Sequence, residues 1–243
     1  MSNSYFQFKQ FIVHQDRCAM KVTTDACLFG AWVANEDQSE KSEVKSVLDI
    51  GAGTGVLSLM YAQKNPLSNI DAIELDGGAY AQAKENIAAS PFAERITIVH
   101  DDVKKLTSSK KYDSIISNPP FYEKEIKSND QKKNVAHHNS GLLLEELLGV
   151  IKDNLSPSGN FYLLLPFKRN EEIKKILLKQ DLFISKIVFV QQSTKHSYIR
   201  MMIAGAREKD RVETLIEEIS ICDDRQQYKE DFTELLKDYY LNL

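Results

Sequence analysis

The chain has 243 residues, enough to bury a sizeable core within one domain of generous size. Its 31 basic and 35 acidic side chains leave a net charge of −4, so the whole-molecule field does not favour a polyanionic partner, and any such partner must meet a local basic face. Cys18, Cys27 and Cys222 form no Cys-x-x-Cys pair, which predicts reduced thiols, a cytoplasmic setting and no structural zinc; the amino terminus lacks the basic-then-apolar pattern of a secretory signal, and no apolar run approaches the ~18 residues that cross a bilayer.

In chain order, Phe6, Phe8, Phe11, Ile12 and Val13 read as a short strand or a lid segment. Thr23-Thr24-Asp25 supplies a hydroxyl or carboxylate cap to a helix that continues through the apolar run 26–33. Residues 35–43 are polar and read as a loop. From residue 44 strands and helices alternate: strands over 47–50, 70–74, 96–99, 114–117 and 161–165, helices over 56–64, 78–88, 142–155 and 171–179. Two β-rich stretches, 184–190 and 199–204, are joined too closely for a crossover helix and therefore pair antiparallel. The pattern predicts an α/β, Rossmann-like, doubly wound and mostly parallel sheet with a terminal antiparallel strand. Residues 215–221 fit either an edge strand or a helix, and 232–241 fit a helix with Leu235, Leu236 and Tyr239 inward. The polar stretch 123–138 is the longest loop, and loops of that length within a domain are usually functional. One domain is expected, with a cofactor-covering segment over 1–43, a core over 44–205 and edge elements over 206–243.

Asp49-Ile50-Gly51-Ala52-Gly53-Thr54-Gly55 leaves the first of these parallel strands and enters a helix. Glycines admit positive φ and close ligand approach. The dinucleotide fingerprint fails, because its third glycine falls on Val56 or Ser58. The observed G-x-G-x-G is the form found in S-adenosylmethionine-dependent methyltransferases, whose sulfonium ligand brings no pyrophosphate to the helix end. Asp49 can hold the ligand's amino acid moiety, directly or through water. Glu74 ends the next strand, where a carboxylate accepts from ribose hydroxyls. Asp101 and Asp102 end the third, and the strand-end position favours Asp102 for the exocyclic amine of the cofactor adenine; helix capping is the competing reading.

Asn118-Pro119-Pro120-Phe121 follows the fourth strand. The exocyclic nitrogen of adenine is a weak nucleophile because its lone pair is delocalised into the ring. An Asn118 side-chain oxygen and a Pro119 carbonyl that accept its two N–H bonds would draw that pair out of conjugation and aim it at a methyl donor. Consecutive prolines fix φ and so preset both acceptors. Phe121 offers a stacking face worth about 1–3 kcal/mol. No histidine or carboxylate base is required.

Taken with the amino-terminal run His14-Gln15-Asp16-Arg17-Cys18-Ala19-Met20-Lys21-Val22-Thr23-Thr24-Asp25 and with Leu28-Phe29-Gly30-Ala31-Trp32, these motifs make the chain resemble the bacterial tRNA1(Val) adenine-N6-methyltransferase family over nearly its whole length. The resemblance implies methyl transfer from S-adenosylmethionine to N6 of the adenosine just 3′ of the anticodon. Carried over by position, Thr24 and Asp25 lie near the cofactor, Gly51, Gly53 and Gly55 form its turn, Glu74 takes the ribose, and Asn118, Pro119, Pro120 and Phe121 hold the target base. The family commonly has glycine where this chain has Thr23. Tyr122, Lys124, Lys127, Lys132 and Lys133 follow the motif and, with Arg200, are candidates for RNA contact, set against Glu123, Glu125 and Asp130 in the same loop. Lys168, Arg169, Lys195 and His196 are further candidates for the same rim. His137 and His138 lack ligand partners at metal spacing, so no metal is expected, and no obligate protein partner is evident. Methylation of ribosomal RNA or DNA adenine, methylation of a protein glutamine, and a non-catalytic RNA-binding role are the alternatives. Trp32 reads as core.

Overall fold

The computed structural model describes residues 3–37, 44–106, 110–120, 142–208 and 213–243. A short antiparallel pair, β1 (Tyr5–Gln7) and β2 (Ile12–His14), precedes helix α1 (Thr24–Glu36). Alternation then begins with β3 (Lys45–Ile50), α2 (Val56–Lys64), β4 (Ser68–Glu74), α3 (Gly77–Ala88), β5 (Ile96–His100) and β6 (Tyr112–Ser117). It continues through α4 (Leu144–Asn154), β7 (Leu155–Pro166), α5 (Asn170–Lys179), β8 (Phe183–Ser193), β9 (Tyr198–Ala206), β10 (Leu215–Cys222) and α6 (Glu230–Leu236).

Eight strands form one sheet in the order β10-β8-β9-β7-β6-β3-β4-β5. Only β9 is reversed, antiparallel to both β7 and β8, as the short β8–β9 connection requires. The chain winds outward from β3 through β4 to β5, then returns to add β6 and β7 on the other side. The order therefore reverses between β3 and β6, and the carboxyl ends of those two strands frame the crevice in which open α/β sheets place ligands.

Side chains alternate across the sheet, so neighbours such as Val47 and Leu48 enter different cores. One core lies under α1, α2 and α6, with Phe29, Met60 and Phe232 fully buried; the other lies under α4 and α5, with Leu148, Ile173 and Leu177 fully buried. Trp32 is in the first, edge-on to Tyr162 with centroids 5.9 Å apart, as the apolar run predicts. Buried Asp37, just beyond α1, accepts from Lys45 Nζ at 2.7 Å, the Tyr61 hydroxyl at 2.6 Å, the Tyr162 hydroxyl at 3.1 Å and the Ser114 hydroxyl. A buried carboxylate is tolerated when paired and fully hydrogen-bonded, and this one ties α1 to α2 and to three strands.

Of the two readings of the amino-terminal aromatics, the strand one holds in β1 and β2, and Phe8 and Phe11 between them are core residues: Phe8 bridges to Tyr240, and the Lys9 N–H donates to the Tyr239 carbonyl at 2.8 Å. Two other elements differ from the sequence expectations. The tail helix stops at Leu236, because the next turn delivers Tyr239 and Tyr240 into the core, with the Tyr239 hydroxyl donating to the Met60 carbonyl at 3.0 Å. Leu155 starts β7 and does not end α4; Pro157 disfavours helix at the residue before it, and Leu155 is already extended at ψ 138°. Residues 215–221 resolve as the edge strand β10, parallel to β8. No helix of the described residues is long and apolar enough to cross a membrane.

Candidate active site

The glycine turn between β3 and α2 has the conformation its sequence demands. Gly51, Gly53 and Gly55 have φ of 73°, 57° and 81°, in the left-handed region that side chains disfavour. A Cβ on Gly51 would meet nothing within 4 Å, and one on Gly53 only the Gly51 carbonyl oxygen at 4.0 Å, so this backbone faces open space. The turn hangs from β4 by the Gly51 and Ala52 N–H groups, which donate to the Ile73 carbonyl at 2.9 and 3.1 Å. The Glu74 carboxylate reaches back to accept from the Gly53 N–H at 2.7 Å and from the Asp76 N–H at 2.8 Å. Glu74 is thereby fixed at the lip of the crevice while keeping lone pairs for a diol.

Asp49, the last residue but one of β3, is fully buried. Its Oδ2 accepts from the Ser58 hydroxyl of α2 at 2.6 Å, and its Oδ1 has no partner among the described residues. Burial pushes its carboxyl up to about 6, against the Ser58 hydrogen bond and with help from the nearby Glu74 charge. A buried acceptor without a donor is costly, and a cationic ammonium placed beside the turn would satisfy it. The open glycine backbone, the orphaned Asp49 oxygen and the Glu74 carboxylate together fit a ligand that carries an amine at one end and a ribose further along.

On the other side of the switch point, Ser117 pairs in register with Ile50 and donates its hydroxyl to the Ile50 carbonyl at 2.8 Å. That bond fixes the end of β6 against the start of the glycine turn. Asn118 follows directly and is half-buried, Pro119 is buried and Pro120 is exposed. Among the described residues no hydrogen bond to the Asn118 side chain is seen. Phe121, Tyr122, Lys124, Lys127, Lys132 and Lys133 lie outside the described residues.

At the start of α1, Thr23 acts as the helix cap, its hydroxyl accepting from the Ala26 N–H at 3.4 Å. Thr24 is exposed as the first helical residue. Asp25 and Arg200, expected on the cofactor and the RNA respectively, meet each other: Arg200 Nε donates to Asp25 Oδ2 at 2.8 Å. Asp102 takes the capping role that competed with adenine binding, accepting from the Lys104 N–H at 3.0 Å.

Several contributors carry no simple sequence signal. Asn86 of α3 accepts from the His14 N–H and donates to the His14 and Thr54 carbonyls, all at 2.9 Å, so one buried amide joins β2 to the glycine turn. Arg17 pairs with Glu85 at 2.8 Å and Cys18 lies close enough to Glu74 and Asp76 for their charges, after burial, to help raise its thiol to about 11. The segment after β2 thus runs alongside the acidic lip. Leu75, directly after Glu74, is 54% exposed and offers an apolar face to a planar ring. An apolar residue after a strand-end acid is the signal that points to Leu75; Gln82 and Asn86 are both buried on one face of α3, and the sequence does not single out Asn86 between them.

Residues 35–180 match the family model of the methyltransferase small domain. The chain is 40% identical over 242 residues to the tRNA1(Val) (adenine(37)-N6)-methyltransferase of Dyadobacter fermentans, covering 98% of each protein. It is 38% identical to the protein of that name from Christiangramia forsetii, covering all of both. Among solved structures it is similar in fold to protein Atu636 of Agrobacterium tumefaciens, a predicted O-methyltransferase, with a TM-score of 0.65, 14% identity and coverage of 89% of this chain and 99% of that one. The glycopeptide N-methyltransferase MtfA complexed with S-adenosylmethionine is similar with a TM-score of 0.56, at 12% identity, covering 74% of this chain and 94% of that one.

Proposed function

The chain belongs to the tRNA1(Val) (adenine(37)-N6)-methyltransferase family, and on that premise we propose that it transfers the methyl group of S-adenosylmethionine to the exocyclic N6 of an adenosine in tRNA, at position 37 of tRNA1(Val). The observation that carries the reading is the junction of the two motifs at the switch point: Ser117 holds Asn118-Pro119-Pro120 against the end of β3, from which the glycine turn departs.

S-adenosylmethionine supplies an electrophilic sulfonium methyl when bound. Asp49 would receive its ammonium, the backbone of Gly51, Gly53 and Gly55 would lie along it, and Glu74 would accept from the ribose. Leu75 would cover a face of the cofactor adenine. On the acceptor side, Asn118 Oδ1 and the Pro119 carbonyl would take the two N6–H bonds, turning the nitrogen lone pair out of conjugation and toward the methyl carbon. Held so, N6 would form its bond to the methyl carbon as the donor's S–C bond breaks, the thioether keeping that bond's electron pair, and the surplus N6 proton would pass to water. Rate comes from placement, since in-line transfer needs the reacting atoms within ~3–3.5 Å. Phe121 would stack on the target base, and Tyr122, Lys124, Lys127, Lys132 and Lys133 would meet the RNA around it. The paired Asp25 and Arg200 would brace the start of α1 beside the acceptor strands, with Thr24 next to the cofactor. We place the enzyme in the cytoplasm, as one domain acting without a protein partner or a metal.

Incubation with labelled S-adenosylmethionine and separate tRNA, ribosomal RNA, DNA and protein pools, followed by nucleoside and amino acid analysis, tests this. Label in N6-methyladenosine of tRNA is the expected result. Asn118→Ala should abolish the transfer while leaving cofactor affinity within about twofold, because it removes an acceptor used only by the target nitrogen; near-normal turnover would overturn the mechanism.

A further inference from the structure

Three aromatic rings stand together at the same edge of the sheet as Asn118, and the reaction above uses none of them. Phe167 follows the last residue of β7, Phe189 lies near the end of β8, and Tyr198 opens β9. Because β9 runs against its neighbours, its beginning and the ends of β7 and β8 share one edge, the edge to which β6 delivers Asn118. Ring centroids are 5.2 Å apart for Phe167 and Phe189, 5.0 Å for Phe167 and Tyr198, and 5.2 Å for Phe189 and Tyr198. Rings in such mutual contact leave no room for a ligand between them, so the cluster is a platform and not a cage.

All three rings are only half-buried. Phe189 packs against the core under α4 and α5, while Phe167 and Tyr198 stand outside both core clusters. Tyr198 also borders on the Arg200 end of β9, where that strand pairs with both β7 and β8. Charge around the cluster is largely balanced: Arg169 pairs with Glu172 at 2.7 Å and Lys195 with Asp224 at 3.1 Å, beside the exposed Lys168. A fixed aromatic surface with its charges matched suits a flat uncharged ring better than a phosphate, and stacking of bases on aromatic side chains tolerates any base.

We propose that Phe167, Phe189 and Tyr198 form a second stacking platform, which receives an unpaired nucleobase of the RNA close to the adenosine being methylated. The proposal rests on the tRNA reading of the active site. Strands are spaced about 4.8 Å apart, so β9 stands roughly 10 Å along the sheet from the strand that carries Asn118. That separation suits nucleotides of one loop, one in the methylation site and another on the platform. The platform would hold the loop open around the target base and set how the RNA lies across the crevice.

The test is steady-state methylation of tRNA by Tyr198→Ala and Phe167→Ala, with Tyr198→Phe as the conservative variant. The Michaelis constant for tRNA should rise about tenfold in each alanine variant, within the range expected for one stacked base. Turnover number and S-adenosylmethionine affinity should stay at the wild-type level, and Tyr198→Phe, which keeps the ring, should behave as wild type. A hairpin with 2-aminopurine beside the target adenosine gives a direct readout: its fluorescence should be quenched by the wild-type enzyme and much less by Tyr198→Ala. Should an alanine variant be unstable, Tyr198→Leu keeps the apolar bulk without a π face and carries the same expectation. Unchanged Michaelis constants and quenching in the variants, with the wild type still forming N6-methyladenosine, would overturn the platform and leave the proposed function standing. A wild-type enzyme that forms no N6-methyladenosine in tRNA would overturn the function and the platform together.

Discussion

Asp49 is the residue whose chemistry is most tightly set by its surroundings. Its carboxyl ordinarily titrates near 3.8, and burial pushes it up to about 6 in the native chain. Between those values the folded protein holds a proton that the unfolded chain has released. The stability contributed by this group is therefore full below about 3.8 and is lost as pH rises through about 6, a cost of about 3 kcal/mol at 1.36 kcal/mol per pK unit. Above pH 6 the site holds a buried negative charge with one orphaned oxygen, poised for a cation. S-adenosylmethionine should accordingly bind about tenfold more weakly at pH 5 than at pH 7.5, since only about a tenth of Asp49 is ionised at the lower pH. Calorimetric titration across that range checks this, and Asp49→Asn should flatten the profile. A wild-type affinity independent of pH would show that the Asp49 charge does not engage the ligand.

Among the elements, those legible from sequence are the ones whose partners are close along the chain. Strands β3, β4 and β6 each hold a buried apolar centre, Val47-Leu48, Ala72-Ile73 and Ile115-Ile116, and each leads into a turn; Gly51, Gly53 and Gly55 are readable because positive φ leaves few other choices. The two ends of the chain were legible only in part, because they make each other's environment. Phe8 is core only because Tyr240 meets it, and no local pattern reports a contact between the first and last elements. In the site, the strand-end positions of Asp49, Glu74 and Asn118 are readable, whereas the pairing of Asp25 with Arg200, the capping by Asp102 and the bridge made by Asn86 are not, since each depends on which elements meet in space. The Asn86 bridge can be tested at the same scale. Asn86→Ala would leave the His14 N–H and the His14 and Thr54 carbonyls without their buried partner, at about 1–3 kcal/mol for an unsatisfied buried group. We expect a loss of about 2–4 kcal/mol in chemical denaturation, together with a severalfold weaker affinity for S-adenosylmethionine as the segment after β2 loosens beside Glu74. Lost stability with unchanged cofactor affinity would mean that this segment braces the fold without covering the ligand.

At the scale of the whole molecule, a protein with net charge −4 must bind a polyanion through local features, against its own average field. The described surface pairs many of its cations internally: Arg200 with Asp25, Arg169 with Glu172, Lys195 with Asp224 and Lys186 with Glu36. Arg200 in particular is held by Asp25 through Nε and donates from one terminal nitrogen to the Ile199 carbonyl at 3.2 Å, which leaves the other terminal nitrogen to reach phosphate. The phosphate contacts are thus expected from the lysines that follow the Asn118 motif, and the specificity from stacking and from the amide clamp. Counterion release makes this measurable, because each phosphate neutralised on a single strand contributes about −0.7 to the slope of log affinity against log salt. Replacing Lys124, Lys127, Lys132 and Lys133 together by alanine should reduce the steepness of the tRNA salt dependence by roughly 2–3, while Tyr198→Ala should weaken binding at every salt concentration without changing the slope. A salt series of tRNA binding for both variants separates the two contributions. If the four-lysine variant keeps the wild-type slope, those lysines are not on the phosphates; if Tyr198→Ala flattens it, the edge of β9 meets backbone rather than base.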